Sequence, residues 1–252
     1  MARITAITIT KNNARDIGDC LDSLSFCDER VVVDSGSTDR TVEIARERGA
    51  AVAHQDWLGY GPQKNVALGM AHGDWILWLD ADERVTPALA VAIKRAVEVG
   101  DADAYQMARL STFCGRPMRH SGWHPDYVLR LFRRERGRWS DGAGHDRVIV
   151  EGPVKRIDGV ILHFAVRRLE DSIVRIDRYS TAGAQDMLAS GRRVRFSTGI
   201  VHGLWTFFRV FVLQRGFLDG SAGFLLAVAN AEGTYYRYMK AWLAQCHRGR
   251  PE

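Results

Sequence analysis

The chain has 252 residues, 46% of them hydrophobic and 26% charged, with a net charge of +5. These proportions are ordinary for a soluble globular protein and exclude a disordered tail, a collagen-like repeat and a polytopic membrane protein. The length allows one large domain or a domain with a smaller module. Arginine supplies nearly all the positive charge, since Lys11, Lys64, Lys94, Lys155 and Lys240 are the only lysines. That bias suits an anionic substrate or membrane surface; a GC-rich genome produces the same bias. Cys20, Cys27, Cys114 and Cys246 form no CxxC pair. Neither a disulfide framework nor a zinc ribbon is expected, and reduced thiols of a cytosolic protein are. The opening Met-Ala-Arg and the alternating strand after it do not read as a signal peptide.

Residues 4–10 (ITAITIT) are rich in β-branched side chains and predict a strand. Ile17, Cys20, Leu21 and Leu24 share one face of a helix. A short buried strand over 30–33 ends at Asp34, and Ser37 or Thr38 is expected to cap a helix running to Gly49. A weaker strand over 51–54 and a helix from Pro62 to about Gly73 follow. Residues 75–79 (WILWL) have no polar interruption, as in a strand covered on both faces. Thr86-Pro87 then caps a helix to about Val99. This β-α-β-α alternation predicts a mostly parallel sheet with helices on both faces. In such sheets ligands bind beyond the carboxyl ends of the strands, where Thr10, Asp34 and Asp80 all fall.

From residue 104 the pattern changes. Residues 104–113, 127–133, 147–151 and 155–164 read as strands without intervening helices. A helix over about 169–190 carries Leu169, Ile173, Ile176, Ser180, Met187 and Leu188 on one side. Residues 199–213 (GIVHGLWTFFRVFVL), if helical, are apolar apart from a stripe of His202, Thr206 and Arg209. The stretch is shorter than the roughly 20 residues of a spanning helix, and Arg192, Arg193, Arg195, Arg209 and Arg215 surround it. It reads either as an interfacial segment on an anionic membrane or as a core helix or oligomer contact. A second apolar stretch, 221–231, is shorter still.

The chemistry concentrates at the strand ends. WILWLDADE delivers Asp80 and Asp82 to the edge of the sheet. Hard carboxylate oxygens suit Mg2+ or Mn2+, which can bridge a diphosphate. The alternative is an acidic cap of Asp82 and Glu83 on the helix after Thr86-Pro87. Asp34 in VVVDSGSTD can accept hydrogen bonds from a base or a ribose. There is no GxGxxG fingerprint and no Walker loop. In VLRLFRR strict alternation fails unless the strand is bulged; Arg130 reads as a phosphate contact, Arg133 and Arg134 as solvated. Trp123 and Trp139 read as sugar-stacking or core residues, and His163 as a satisfied buried histidine. The arginines are scattered and no nucleic-acid motif accompanies them, so nucleic acid is not an expected partner.

VVVDSGSTD, GPQKNVAL and WILWLDADE, in this order and spacing, resemble the nucleotide-sugar domain of the inverting family 2 glycosyltransferases, which have the GT-A fold. GWHPDYVLRLFRR, the His145-Asp146 pair, the Leu169-Glu170-Asp171 helix start and GFLDGSAGF resemble bacterial lipopolysaccharide core glycosyltransferases of the WaaE/KdtX type, which add glucose in β-1,4 linkage to an inner-core heptose. The resemblance implies an α/β GT-A catalytic domain over 1–165, with a nucleotide-sugar half over 1–100 and an acceptor half over 101–165. A helical, partly apolar region over 166–252, with a possible membrane association, follows. It implies that Thr10 and Asp34 contact the nucleobase, that Lys64 borders the nucleotide, that Asp80 meets the ribose or metal, and that Asp82 ligates Mg2+ or Mn2+. Asp146 is implied as the base that deprotonates the acceptor hydroxyl, with Asp126 and Asp141 as competing carboxylates and no firm role for His145. The QxxRW helix of other branches is absent; Gln214-Arg215-Gly216 is its loose counterpart. The expected activity is an inverting, metal-dependent transfer of a hexose, glucose from UDP-glucose, onto a lipopolysaccharide inner-core sugar. The expected location is cytoplasmic, peripheral on the inner membrane. Alternatives are a polyprenyl-phosphate, capsule or protein acceptor, or a non-catalytic nucleotide-sugar-binding membrane protein.

Overall fold

The computed structural model describes residues 2–140 and 147–248. They divide into two compact units, one of residues 2–109 and 126–163, the other of residues 110–125 and 164–248.

The first unit begins with β1 (Ile4–Thr10), α1 (Ile17–Ser23), β2 (Glu29–Asp34), α2 (Thr41–Glu47), β3 (Ala51–His54), α3 (Tyr60–Gly69) and β4 (Trp75–Trp78). The chain continues through β5 (Glu83–Val85), α4 (Pro87–Val99), β6 (Ala104–Phe113), β7 (Arg116–Pro117), β8 (Asp126–Arg133), β9 (Gly137–Trp139), β10 (Val148–Val150) and β11 (Val154–Val166). β1 pairs in parallel with β2 and β4, and β2 with β3. β8 then runs antiparallel to β4 and to β6, and β5 antiparallel to β11. The sheet is thus parallel at its nucleotide-side strands and mixed beyond them.

Trp75, Leu77 and Leu79 belong to one buried cluster and Ile76 to another, the period-two pattern of a strand covered on both faces. α1 and α4 add Cys20, Leu24, Leu89, Ile93 and Val97 to the first cluster, and α3 adds Ala67 to the second. α4 starts and stops as its sequence predicts. The Thr86 hydroxyl accepts from the Leu89 N–H at 3.4 Å, Pro87 takes the first position, and Gly100 closes the helix at φ 61°.

Two helices depart from expectation. α2 begins at Thr41, because Ser37 and Thr38 are engaged elsewhere. The Ser37 hydroxyl donates to Asp34 and accepts the Asn12 N–H, while the Thr38 N–H donates to the Asn12 side chain. Asp39 takes the capping role, accepting the Thr41 N–H at 3.0 Å. α3 ends at Gly69, not near Gly73. Gly73 instead lets the chain pass β1, since a Cβ there would lie 2.8 Å from the Arg3 carbonyl and the Thr5 nitrogen.

β8 carries the bulge that its alternation required. Tyr105 pairs with Leu131 and Gln106 with Leu129, so Arg130 is the extra residue. Such a bulge re-aims the extra side chain. Beyond it alternation resumes, with Leu131 and Phe132 in opposite core clusters.

The second unit consists mainly of α5 (Leu169–Ala189), α6 (Phe196–Phe208) and α7 (Gly220–Arg248), with a π turn over Arg209–Leu213 and a 3-10 turn over Gly216–Asp219. α5 buries Ser172, Ser180 and Ala184 and packs Ile176 and Met187 into clusters with α7, so most of the expected side is the packed one, while Leu169 and Ile173 at its start are exposed. Polar contacts add to this packing: Lys240 of α7 reaches Ser180 Oγ at 2.9 Å and Asp177 Oδ1 at 2.7 Å.

Candidate active site

Thr10 and Asp34 stand opposite each other at the carboxyl ends of β1 and β2. Beyond these ends lies a cavity of about 560 Å³ lined by Thr10, Ser35, Trp57, Tyr60, Asp80 and Asp82, among others. Three of the predicted site residues therefore share one cavity. Asp34 does not line it and is buried. Its carboxylate accepts the N–H groups of Gly36 at 2.9 Å and Ser37 at 2.8 Å, and Gly36 takes the φ of 82° that the turn demands. Asp34 thereby fixes the turn that carries Ser35 to the cavity. Gln63, fully buried, donates to the Ser35 hydroxyl at 2.9 Å and to the Gln55 carbonyl at 2.9 Å. At the rim the exposed rings of Trp57 and Tyr60 meet edge to face, 4.8 Å apart. Flat aromatic faces of this kind stack on bases.

Asp80 sits at the centre of an ionic network. Arg130 Nη2 donates to Asp80 Oδ2 at 3.0 Å and to Glu83 Oε1 at 2.5 Å. Arg109 reaches the same Glu83 oxygen at 3.3 Å and Asp126 Oδ2 at 2.6 Å. Arg130 also lies on Trp78, 3.5 Å from the ring centroid, with Lys64 Nζ 4.1 Å from it. Burial works to raise the Asp80 carboxyl, but the charges of Arg130 and Lys64 and the Arg130 hydrogen bond outweigh it, holding the group below its ordinary value. Asp80 stays ionised at neutral pH.

Glu83 is no helix cap: it is fully buried on β5 and ion-paired. Arg130 is committed to carboxylates rather than standing ready for a phosphate. Arg133, expected in solvent, stacks 4.7 Å from the Trp75 centroid and pairs with Asp103 at 3.2 Å. Trp139 is core, packed edge to face on Phe132 and Trp78. His163 lies opposite Glu83 in the β11–β5 register, and its Nε2 comes within 3.6 Å of Asp82 Oδ2. Sequence reasoning missed Gln63, Glu83 and His163 as site residues. Only the bulge signal at Arg130 hinted at the network.

A second cavity of about 720 Å³ is lined by Lys64, Trp78, Asp80, Arg109, Arg130 and Arg147, with several neighbours. Asp80 borders both cavities. Lys64 belongs to this second one. His145, Asp146 and the competing Asp141 lie outside the described residues.

Among the described residues no three His, Cys, Asp or Glu side chains converge as a closed metal cage. The donors present nevertheless fit a divalent ion that takes further oxygens from a diphosphate. Asp82 lines the cavity, and its carboxylate stands beside the His163 imidazole. Its carboxylate oxygens suit Mg2+ or Mn2+.

A mixed α/β sheet whose parallel strands end at a cavity holding Thr10, Asp80 and Asp82 is the GT-A architecture of a nucleotide-sugar-binding enzyme. The chain belongs to glycosyl transferase family 2, whose sequence profile matches residues 5–157. It is 30% identical to the lipopolysaccharide core biosynthesis glycosyltransferase LpsC of Rhizobium meliloti, over 98% of this chain and 95% of that one. It is 28% identical to an uncharacterized glycosyltransferase of Rickettsia prowazekii, over 95% and 87%. Among solved structures, S. aureus TarS 1–349 aligns over 99% of this chain and 93% of its own, with 16% identity and a TM-score of 0.46.

Proposed function

We propose that the enzyme transfers a hexose with inversion from a UDP-sugar, UDP-glucose, onto an inner-core sugar of lipopolysaccharide, with a divalent cation in the donor site. The observation that carries this reading is that Thr10, Ser35, Asp80 and Asp82 border one cavity beyond the strand ends. LpsC, named for lipopolysaccharide core biosynthesis and similar over nearly its whole length, supports the acceptor class.

In this reading the base lies against the rim aromatics Trp57 and Tyr60, and Thr10 and the Asp34-fixed turn border it. Lys64 lines the second cavity beside Asp80 and so meets the donor from the acceptor side. Asp82, with His163 beside it, would hold Mg2+ or Mn2+, and the ion would supply Lewis-acid stabilisation of the departing diphosphate. Asp80 is kept ionised and oriented by Arg130, so it can accept a ribose or sugar hydroxyl without losing its charge. The second cavity, reached past Asp80, receives the acceptor, and Asp146 removes the proton from the attacking hydroxyl. Residues 1–100 then serve the donor and 101–165 the acceptor. The reading goes with a cytoplasmic location on the inner membrane, the side on which a lipid-anchored core meets a nucleotide sugar.

The test is transfer in vitro. Purified enzyme, UDP-glucose and Mn2+ are incubated with truncated lipopolysaccharide ending in inner-core heptose, and the product is read by mass spectrometry. One added hexose per acceptor is expected. Transfer to a polyprenyl phosphate but never to the core would overturn the acceptor assignment.

A further inference from the structure

The helix α6 is turned the wrong way for a soluble protein. It packs on α7 through Gly199, Gly203 and Thr206, with the Thr206 and Thr234 hydroxyls 3.2 Å apart and His202 stacked on Tyr238 at 4.6 Å. Its large apolar side chains point outward: Val201 is 63% exposed, Leu204 68% and Trp205 52%. Phe208, Val212, Leu213, Phe217 and Leu218 extend this exposed surface through the turns that follow. A surface helix in water buries its apolar stripe and presents its polar one. Only 22% of the stretch Phe196–Leu213 is buried.

Along the sequence of this segment the charge has one sign. From Arg192 to Leu218 the sequence carries Arg192, Arg193, Arg195, Arg209 and Arg215 and no Asp or Glu. All five arginines are exposed. The arginine loop is held on α7, since Gln245 accepts the Val194 N–H at 3.0 Å and donates to the Arg192 carbonyl at 2.7 Å. Arg193 and Arg195 line an open concavity of about 740 Å³ just before the first turn of α6. Backbone N–H groups of a helix start and flanking guanidinium forks both favour a phosphate.

We propose that α6 and the turns after it dock this protein in the headgroup layer of an anionic bilayer, lying in the plane of the leaflet, with Arg193 and Arg195 on lipid phosphates. The apolar face enters the acyl boundary, and the arginines remain at the phosphate level. Crossing the bilayer is disfavoured by the partner helix, because α7, on which α6 packs, itself carries Glu232, Arg237 and Lys240. The inference stands on this surface alone and needs no assumption about donor or acceptor.

Vesicle flotation tests it. The full-length protein is mixed with phosphatidylcholine vesicles containing or lacking phosphatidylglycerol, beside the exposed-site variants Trp205→Glu/Phe208→Glu and Arg193→Glu/Arg195→Glu. Wild type is expected to float with the anionic vesicles and to be released by alkaline carbonate. Each double variant should bind them at least roughly tenfold less, with an unchanged circular dichroism spectrum and melting temperature. Equal flotation of wild type and both variants would overturn the proposal. So would retention after carbonate, which marks a spanning helix. A lipid-independent dimer abolished by Trp205→Glu/Phe208→Glu, without vesicle binding, would assign the face to a second copy and overturn it too.

Discussion

Arg130 decides the charge balance of the site. Its guanidinium is almost wholly buried, faces Trp78, and joins two carboxylates that are three residues apart, Asp80 and Glu83. A buried ion pair is weak evidence of net stability, but breaking one strands its partner. Glu83 is fully buried and would keep Arg109, at 3.3 Å, as its cation and the Asp80 N–H, at 3.2 Å, as a donor. Arg130→Met, which retains the stem against Trp78, should therefore cost about 3 kcal/mol, the low end for a broken buried pair. A urea unfolding curve reads this, and a loss below about 1 kcal/mol would contradict the network's importance. At this scale the sequence was partly legible. Asp80 and Asp82 stood out because two acids end an apolar strand. Glu83 did not, because its partners Arg109 and Arg130 are far away in the chain and an acid before Thr86-Pro87 looks like a cap.

Among the elements, long strands and capped helices followed from local pattern. β1, β6 and α4 have the predicted bounds, because β-branched runs and a Thr-Pro start carry their own signals. β5 was hidden: Glu83-Arg84-Val85 is short and mostly charged, and it becomes a strand only through its pairing with β11. The face of α6 was hidden for a related reason. Its partner, α7, accepts small and hydroxyl-bearing residues, so the apolar stripe does not mark the buried side. The start of α7 shows how tight the chain can be: a Cβ on Gly223 would lie 1.9 Å from the Gly216 carbonyl oxygen. That neighbour is backbone and cannot swing aside. Gly223→Ala should lower stability by roughly 3 kcal/mol, at or above the usual cost of overpacking. Gly69→Ala, with nothing within 4 Å of its added Cβ, should be neutral or gain up to about 1 kcal/mol. Thermal unfolding of the two variants side by side checks the contrast, and equal melting temperatures would contradict it.

At the scale of the whole molecule, the parallel strands bring residues that are 70 positions apart in sequence, Thr10 and Asp80, to one cavity. The alternating first half made this gathering legible, since strand ends of a parallel sheet share an edge. The second cavity was not legible, because β8 reaches it only through a bulge and an antiparallel pairing. The central claim is that the shared cavity binds a uridine diphosphate group through a cation on Asp82. Thermal shift with UDP, GDP and ADP, each with and without Mn2+, tests it on wild type and Asp82→Asn. At a hundredfold excess over Kd a bound ligand adds about 2.7 kcal/mol, roughly 5–10 °C for a chain of this length. The account predicts such a rise for wild type with UDP and Mn2+ together, and loss of the Mn2+-dependent part in Asp82→Asn. No rise with any nucleotide, or an equal Mn2+-dependent rise in Asp82→Asn, would contradict it.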